Sequence, residues 1–324
     1  MPTSPSDTAW LDVAARFAAR ARPLSRPNPA VGCFIVRNGV VVGRGWTRPG
    51  GRPHAEAEAL AQAGAAAQGG CAYVTLEPCA HSSDRGPACA DLLVAAKPAR
   101  VVIGCSDPDP RTAGAGIGRL RQAGIEVTLL DSPASRRSLA GYLARREAGR
   151  PHVTLKLATS LDGCIALASG ESQWITGEEA RAHVHSRRAM NDAILVGGGT
   201  WRADAPRLDV RLAGLETRSP QRLVLTRGVA PHGARVINRP EQVAQYADVQ
   251  YLYVEGGAGA AAAFLAEDLV DRIDLYRAPI LIGGGRPALG DIGLSELGAA
   301  HGRWALAERR QLGSDCYEAY ERTR

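Results

Sequence analysis

Apolar residues recur along this chain with two periods, and the alternation between them divides it into elements. Short apolar runs closed by Gly, Pro, Asn or Asp predict strands, and apolar residues three and four apart predict helices. Trp10, Leu11, Ala14, Phe17 and Ala18 share one helical face, behind Ser6 or Asp7 as the cap. VGCFIV (31–36) and VVVGRG (40–45) flank Asn38-Gly39, the dipeptide that favours a two-residue hairpin turn. A helix follows over 54–67, then a strand CAYVTLEP (71–78), a helix over 87–96 and a strand ARVVIG (99–104). Next come a helix ending near Gln122, a strand IEVTLL (125–130) and a helix over 134–148. Gly149-Arg150-Pro151 is a stop signal, and the first domain is drawn there, over 1–149.

The alternation restarts in 150–324. Strands are predicted at HVTLKLAT (152–159), AILVGG (193–198), RLVLT (222–226), YLYVEG (251–256), RIDLYRAPIL (272–281), RWALAERR (303–310) and DCYEAYER (315–322). Helices are predicted over 178–190 and 257–266. Both halves therefore read as α/β, with helices on the faces of a sheet. No internal repeat relates them, so they are expected to be different folds.

Composition narrows the class. The chain has 324 residues, 45% hydrophobic and 22% charged, which suits two globular domains. No apolar stretch approaches the roughly 20 residues of a membrane span, and Asp12 and Arg16 interrupt any secretory signal. A cytoplasmic enzyme is expected. Seven cysteines, an odd and scattered set, argue against a disulfide framework. Cys33, Cys71, Cys105 and Cys164 lie in or beside apolar runs and are expected to be small buried hydrophobes. Residues 1–150 carry 19 Lys and Arg against 12 Asp and Glu, whereas 151–324 carry 20 against 21. No cluster of basic and aromatic residues accompanies that basic half, so no nucleic-acid partner is expected. Only two lysines, Lys97 and Lys156, stand among 37 arginines. Lys156, inside a strand-like run, is thereby a candidate for chemistry that needs an ammonium.

Three residues suit a metal. His54 opens the helix after the hairpin within Pro53-His54-Ala55-Glu56, Cys79 ends Leu76-Glu77-Pro78-Cys79, and Cys89 follows at the next helix. One imidazole and two thiolates leave a fourth position on zinc for water, whose pKa zinc lowers to roughly 7. A neighbouring carboxylate then carries a proton to a departing amine. Helical spacing favours Glu58 for that task, as the same-face neighbour of His54. The H-x-E and P-C signature of zinc nucleobase deaminases favours Glu56, and Glu56 is taken as the catalytic residue.

RPNPAVGC (26–33), PHAEAEAL (53–60), LEPCAH (76–81) and DPDPRTAGAG (107–116) together resemble the deaminase half of the RibD family, the bifunctional deaminase/reductases of riboflavin synthesis. The resemblance implies a cytidine-deaminase-like α/β/α domain, with Asn28 on the pyrimidine and His81 and Arg85 as candidates for the ribose phosphate. Two departures stand out: the interval between Cys79 and Cys89 is one residue longer than usual, and Asp109 stands where Asn is common.

The second half is similar to the reductase half of the same family through HVTLKLATSLDGCIA (152–166), ASGESQWIT (168–176), AILVGGGTWRADAPRLDVR (193–211) and YLYVEGGAGAAAAFL (251–265). It is weakest over about 212–250 and near the C-terminus. A dihydrofolate-reductase-like domain over 150–324 with NADPH as cofactor is implied. Independently, Gly197-Gly198-Gly199-Thr200 and Gly256-Gly257-Ala258-Gly259 each follow a strand and suit close approach of a phosphate. By the family pattern Ala158, Trp174, Thr200, Asp204, Gly257, Ala258, Gly259, Ala260, Ala261, Ala262 and Ala263 face the cofactor. Ser172, Arg188, Leu208, Arg211 and Glu255 face the substrate, with Arg188 and Arg211 suited to a phosphate. Arg227 or Arg202 is the candidate for the NADPH 2′-phosphate, and Lys156 for hydrogen bonding to the sugar or assisting its opening.

The expected reaction is sequential. A phosphoribosyl-diaminopyrimidinone loses its C2 amine at zinc, and NADPH then reduces the ribosyl group to ribityl. A homo-oligomer is expected, without nucleic-acid or membrane partners. A tRNA-type adenosine deaminase and a non-catalytic nucleotide sensor are the competing readings, which tRNA binding and ammonia release respectively discriminate.

Overall fold

A computed structural model describes residues 6–81, 84–229 and 232–324. The chain divides into two compact units between Gly149 and Arg150. Among the described residues no helix is long and apolar enough to cross a membrane.

The first unit contains α1 (Asp7–Ala18), β1 (Gly32–Arg37), β2 (Val40–Trp46), α2 (Ala55–Ala63), β3 (Cys71–Val74), α3 (Cys89–Ala96), β4 (Arg100–Ile103), α4 (Ala115–Gln122), β5 (Glu126–Leu129), α5 (Pro133–Ser138) and α6 (Ala140–Glu147). Ser6 caps α1, its side chain accepting the Ala9 N–H. The five strands lie in the order β2-β1-β3-β4-β5. The pairs β1–β2 and β1–β3 are antiparallel, and β3–β4 and β4–β5 are parallel. Asn38 and Gly39 both have positive φ, at 52° and 76°, as the hairpin dipeptide predicts.

Strand alternation sends side chains to two cores. Cys33, Ile35, Ala72, Val74, Val101 and Ile103 pack with residues of α2, α3 and α4. Val36, Tyr73 and Val102 pack against Leu11 and Trp10 of α1. Helix α2 is drawn tightly onto β2 because β2 offers glycine where the helix is nearest. A Cβ on Gly45 would stand 2.2 Å from the Ala55 carbonyl oxygen. This contact sets the position of the helix that follows His54.

The second unit contains β6 (His152–Thr159), β7 (Cys164–Ala166), α7 (Glu178–Arg188), β8 (Ala193–Gly197), α8 (Gly198–Asp204), β9 (Gln221–Leu225), β10 (Arg235–Ile237), β11 (Tyr251–Val254), α9 (Ala258–Ala266), β12 (Arg272–Arg277), β13 (Arg286–Pro287), β14 (Trp304–Leu312) and β15 (Asp315–Arg322). Eight strands lie in the order β10-β9-β8-β11-β6-β12-β15-β14. The first six run parallel, and β15 and β14 close the sheet antiparallel. One face packs on α9 through Ala261, Phe264 and Leu265, and the other on α7 through Ala180 and Val184. In such a sheet ligands collect outside the carboxyl ends of the parallel strands. The two glycine loops leave β8 and β11 there, from neighbouring strands.

Several elements differ from the sequence expectations, each for a physical reason. The strand expected over 71–78 pairs only to Val74, because Glu77 is taken up by the amides of a later loop. The helix over 54–67 ends at Ala63, where Gly64 turns with φ 52° and a 3₁₀ turn follows. The helix over 134–148 breaks at Leu139 into α5 and α6. The strand over 272–281 stops at Arg277, two residues before Pro279, which has no N–H for a ladder. Short β7, β10 and β13 and the single-loop helix α8 carry too few apolar positions to show a period. Cys33, Cys105 and Cys164 are buried, as are Cys79 and Cys89, while Cys71 is only half-buried; all seven cysteines are free thiols.

Candidate functional site

Two helix N-termini meet in the first unit. His54 is the N-cap of α2, and its side chain makes no capping bond, leaving the imidazole to face α3. Cys89 is the first residue of α3, and its N–H donates to Cys79 Sγ at 3.3 Å. The Ala90 N–H donates to the Cys79 carbonyl at 3.1 Å, so the loop bearing Cys79 is pinned to the start of α3. His54 Nδ1 lies 3.3 Å from Cys89 Sγ and 3.6 Å from Cys79 Sγ. All three ligand atoms fall within 4.8 Å of one another. Ligands at ~2.0–2.3 Å from a tetrahedral zinc stand roughly 3.5 Å apart, so this donor set fits the ion. Hydrogen bonds from Cys89 and the nearby His54 favour the thiolate at Cys79; helix N-termini act in the same sense.

Glu56 and Glu58 part company on α2. Glu58 Oε2 is held by Arg48 Nη2 at 2.6 Å. Glu56 is 3% exposed, and its Oε2 is buried without a hydrogen-bond partner. Burial pushes the Glu56 carboxyl up to about 7, with His54 pulling the other way. An unpartnered buried carboxylate oxygen is costly, and its presence beside three metal-type donors marks a place where a ligand completes the site.

His54, Glu56 and Cys79 open on a cavity of about 300 Å³, which Asn28, His81 and Arg85 also line. Asn28 lies across Gly51, where an added Cβ would stand 1.8 Å from Asn28 Nδ2. Arg85 Nη2 donates to the Gly50 carbonyl at 2.6 Å, and His81 Nδ1 is 3.5 Å from Thr112 Oγ1. The sequence reading missed Glu77. It is 2% exposed and accepts the N–H groups of Asp107, Gly114 and Ile117 at 3.4, 3.1 and 3.1 Å. That carboxylate fastens the 107–117 loop over the cavity, and Gly116 lets it close, since a Cβ there would meet the Pro78 carbonyl oxygen at 2.0 Å. Tyr142 and Arg146 of α6 were missed as well, and both line the same cavity. Nothing local announces them, because their place depends on a helix far along the chain.

In the second unit Lys156, Glu255 and Arg188 form a charged cluster. Arg188 Nε and Nη2 donate to the two Glu255 oxygens at 2.6 and 2.9 Å. Lys156 Nζ lies 3.8 Å from Glu255 Oε2, with its side chain 19% exposed. Burial lowers the pKa of Lys156, and Glu255 opposes that fall. Burial alone would raise the Glu255 carboxyl, but Arg188 and Lys156 hold it below the usual range. Arg188 is thus engaged by protein, and Nη1 also donates to the Asp209 carbonyl at 2.9 Å. Arg211 is more open; its side chain is 55% exposed, and Nε lies 3.5 Å from Asp209 Oδ1.

The two glycine loops of this unit come together. The Glu255 N–H donates to the Leu195 carbonyl at 2.8 Å, and a Cβ on Gly257 would meet Thr200 Oγ1 at 3.3 Å. Ala158 packs beside the α7-side core, and Asp204 ends α8 exposed. Trp174 is 63% exposed with the Arg181 guanidinium 4.8 Å from its ring centroid. Ser172 lies nearby in sequence, half-buried, in the stretch between β7 and α7. Leu208 is buried with φ 53°. Of the 257–263 stretch, Ala260, Ala261 and Ala262 are buried, so Gly257, Ala258 and Gly259 carry most of its accessible surface, with Ala263 half-buried. Arg202 Nη1 and Thr226 Oγ1 both crowd Gly198, at 3.2 and 2.7 Å from an added Cβ. Arg227 follows in the exposed turn after β9.

The relatives agree with this division. Residues 4–105 match the cytidine and deoxycytidylate deaminase zinc-binding region, and residues 151–317 match the RibD C-terminal domain. The chain is 39% identical to the riboflavin biosynthesis protein RibD of Mycobacterium tuberculosis, covering 94% of each. It is 37% identical to RibD of Escherichia coli, covering 95% of this chain and 97% of that one. The solved structure of Acinetobacter baumannii RibD superposes with a TM-score of 0.85 at 36% identity, covering 98% and 99% of the two chains. A Thermotoga maritima deaminase/reductase superposes at 0.84 with 27% identity over the same shares. With a deaminase zinc-binding region, a reductase domain and near-complete coverage at these identities, the chain belongs to the RibD family.

Proposed function

We propose that the first unit deaminates a phosphoribosylamino-diaminopyrimidinone and that the second reduces the ribosyl group of the product with NADPH. One observation carries the reading: three donor atoms within 4.8 Å of one another, beside a buried carboxylate oxygen that no protein group satisfies. Zinc held there supplies a water activated at neutral pH. Glu56 accepts the proton of that water and passes it to the leaving nitrogen, so that the C2–N bond breaks, a C2–O bond forms and ammonia leaves. The buried oxygen of Glu56, free of protein partners, is placed to take that proton and give it up again. Asn28, from the rim, hydrogen-bonds the ring and fixes which carbon faces the metal.

In the second unit, the cofactor supplies hydride to C1′ of the sugar. Gly257, Ala258 and Gly259 with Thr200 let its phosphates approach the backbone, while Trp174, Ala158 and Asp204 border the rest. Arg202 or Arg227 takes the 2′-phosphate. Lys156 Nζ donates a proton to the sugar oxygen that becomes hydroxyl on ring opening. Glu255 holds Lys156 and Arg188 and with Arg188 faces the substrate, Ser172 and Leu208 border it, and Arg211 offers its exposed guanidinium to the substrate phosphate. The reading includes a homo-oligomer in the cytoplasm, and sedimentation of the purified chain tests the first of these.

The decisive experiment is anaerobic incubation of the zinc-loaded chain with the phosphoribosyl-diaminopyrimidine, with and without NADPH, followed by mass analysis. Deamination without NADPH, and reduction of the deaminated product with it, is the expected pattern. Deamination with no reduction under either condition overturns the assignment of the second unit, and an unchanged substrate overturns that of the first.

A further inference from the structure

The basic rim of the first unit's cavity contains a cluster of Asp109, Arg111 and Arg146 that has no part in the metal site. Asp109 has a side chain only 4% exposed, and it gathers two arginines from different elements. Arg111 donates to it from Nε at 3.0 Å and from Nη2 at 2.6 Å, and Arg146 Nη2 approaches it at 3.1 Å. Asp109, Arg111 and Arg146 all line the cavity that holds His54 and Glu56. The Arg146 guanidinium also lies 5.5 Å from the centroid of the Tyr142 ring, and the Tyr142 hydroxyl donates to Asp107 at 2.8 Å.

Charge and exposure indicate what this cluster takes. Two guanidiniums against one carboxylate leave a net positive charge. The arginine side chains are 62% and 41% exposed, at the solvent side of the cavity, whereas Glu56 is 3% exposed at its inner end. Arg111 Nη1 and Arg146 Nη1 make no protein hydrogen bond among the described residues. A guanidinium has five N–H donors in a rigid fork, so a carboxylate that orients one edge leaves the other free for an anion. A neutral Asn at 109 would draw the two cations together far less strongly; the carboxylate preorganises them.

We propose that Arg111 and Arg146, held by Asp109, form an anion clamp that reads the 5′-phosphate of the deaminase substrate while its pyrimidine reaches Glu56. The assignment rests on the deaminase reading above and adds the residues that select a phosphorylated substrate. Asp109 is a positioning residue, and the two arginines touch the ligand.

Two measurements test it on the full zinc-loaded chain. In the first, ammonia release is followed with the phosphorylated substrate and with its phosphate-free counterpart. Arg111→Gln and Arg146→Gln each lower the ratio of kcat/KM for the two at least tenfold, with the loss falling on KM. Arg111→Lys recovers part of it, and Arg121→Gln, a basic residue that does not line the cavity, controls for net charge. In the second, ribose 5-phosphate is titrated calorimetrically into the wild type and the Arg111→Gln/Arg146→Gln double variant. The double variant loses one class of sites or binds it at least tenfold more weakly. An unchanged kcat/KM ratio, or superimposable isotherms, overturns the clamp even where thermal stability falls. The calorimetric arm needs no turnover, so it decides the clamp even if neither substrate releases ammonia, an outcome that instead defeats the deaminase reading.

Discussion

Glu56 and Glu58 stand two positions apart on one helix, yet Arg48 holds Glu58 at 2.6 Å while a Glu56 oxygen is buried and unmatched. Helical spacing alone had pointed to Glu58 as the neighbour of His54. The proposed assignment of the proton shuttle to Glu56 rests on which carboxylate is already satisfied. Glu56→Gln is expected to lower kcat for ammonia release at least a hundredfold, the usual scale for a lost proton shuttle, with zinc content unchanged. Glu58→Gln is expected to stay within about threefold of wild type, because it removes a half-exposed ion pair worth roughly 1 kcal/mol or less. Ammonia assays with metal analysis of both variants check this, and the reverse pattern reassigns the shuttle.

Removing the metal separates the two units functionally. Chelation is expected to abolish ammonia release and to leave reduction of already deaminated substrate within about twofold of its starting rate. The second unit has none of the three donors, which all lie between residues 54 and 89. Parallel loss of both activities in a chelator titration contradicts this independence.

Gly45 is the point at which packing controls the metal centre. Gly45→Ala would set a Cβ 2.2 Å from the Ala55 carbonyl oxygen, which must move, and α2 with it. Overpacking of this kind costs about 1–3 kcal/mol. Because His54 caps that helix, weaker zinc retention is expected together with the stability loss. Competition against a chromogenic chelator measures the first, and denaturant unfolding the second. A stability loss with unchanged zinc affinity would uncouple the helix position from the ligand set.

Asp271 ties down the start of the second unit. It accepts Arg150 Nη1 and Nη2 at 2.7 and 2.8 Å and the Val153 N–H at 2.8 Å, with side chains 15% and 10% exposed for Arg150 and Asp271. Burial by itself would raise this carboxyl, but the Arg150 hydrogen bonds hold it well below the usual carboxylate range. Its stabilisation is therefore complete above the unfolded-chain Asp pKa of about 3.9 and is lost as pH falls below that value toward the depressed one. Asp271→Asn is expected to cost about 3 kcal/mol at pH 7, since it leaves Arg150 uncompensated. The gap from wild type should narrow steadily below pH ~4. Urea titrations of the second unit's transition at pH 7 and pH 3 check both statements.

The parts of this account that were legible in the sequence depend on short-range chemistry. Asn38-Gly39 demands a left-handed turn whatever surrounds it. His54, Cys79 and Cys89 could be picked out because few roles need an imidazole and two thiols in that order at helix starts. What stayed hidden depends on partners distant along the chain. Glu77 lies within Leu76-Glu77-Pro78-Cys79, but its work on the 107–117 amides exists only once β3 and β4 are paired. Arg188 suits a phosphate contact by its type, and sequence could not show that Glu255 pairs with it from 67 residues away. Tyr142 and Arg146 belong to a helix that starts after a break at Leu139, which the apolar period over 134–148 does not announce.

The central claim is that one nitrogen and two sulfurs share an ion with a place left for water. X-ray absorption at the zinc edge of the purified chain reads that shell directly. Two sulfur neighbours at about 2.3 Å and two nitrogen or oxygen neighbours at about 2.0 Å are predicted, with one zinc per chain. A shell without sulfur, or a chain that retains no zinc through dialysis, contradicts the account.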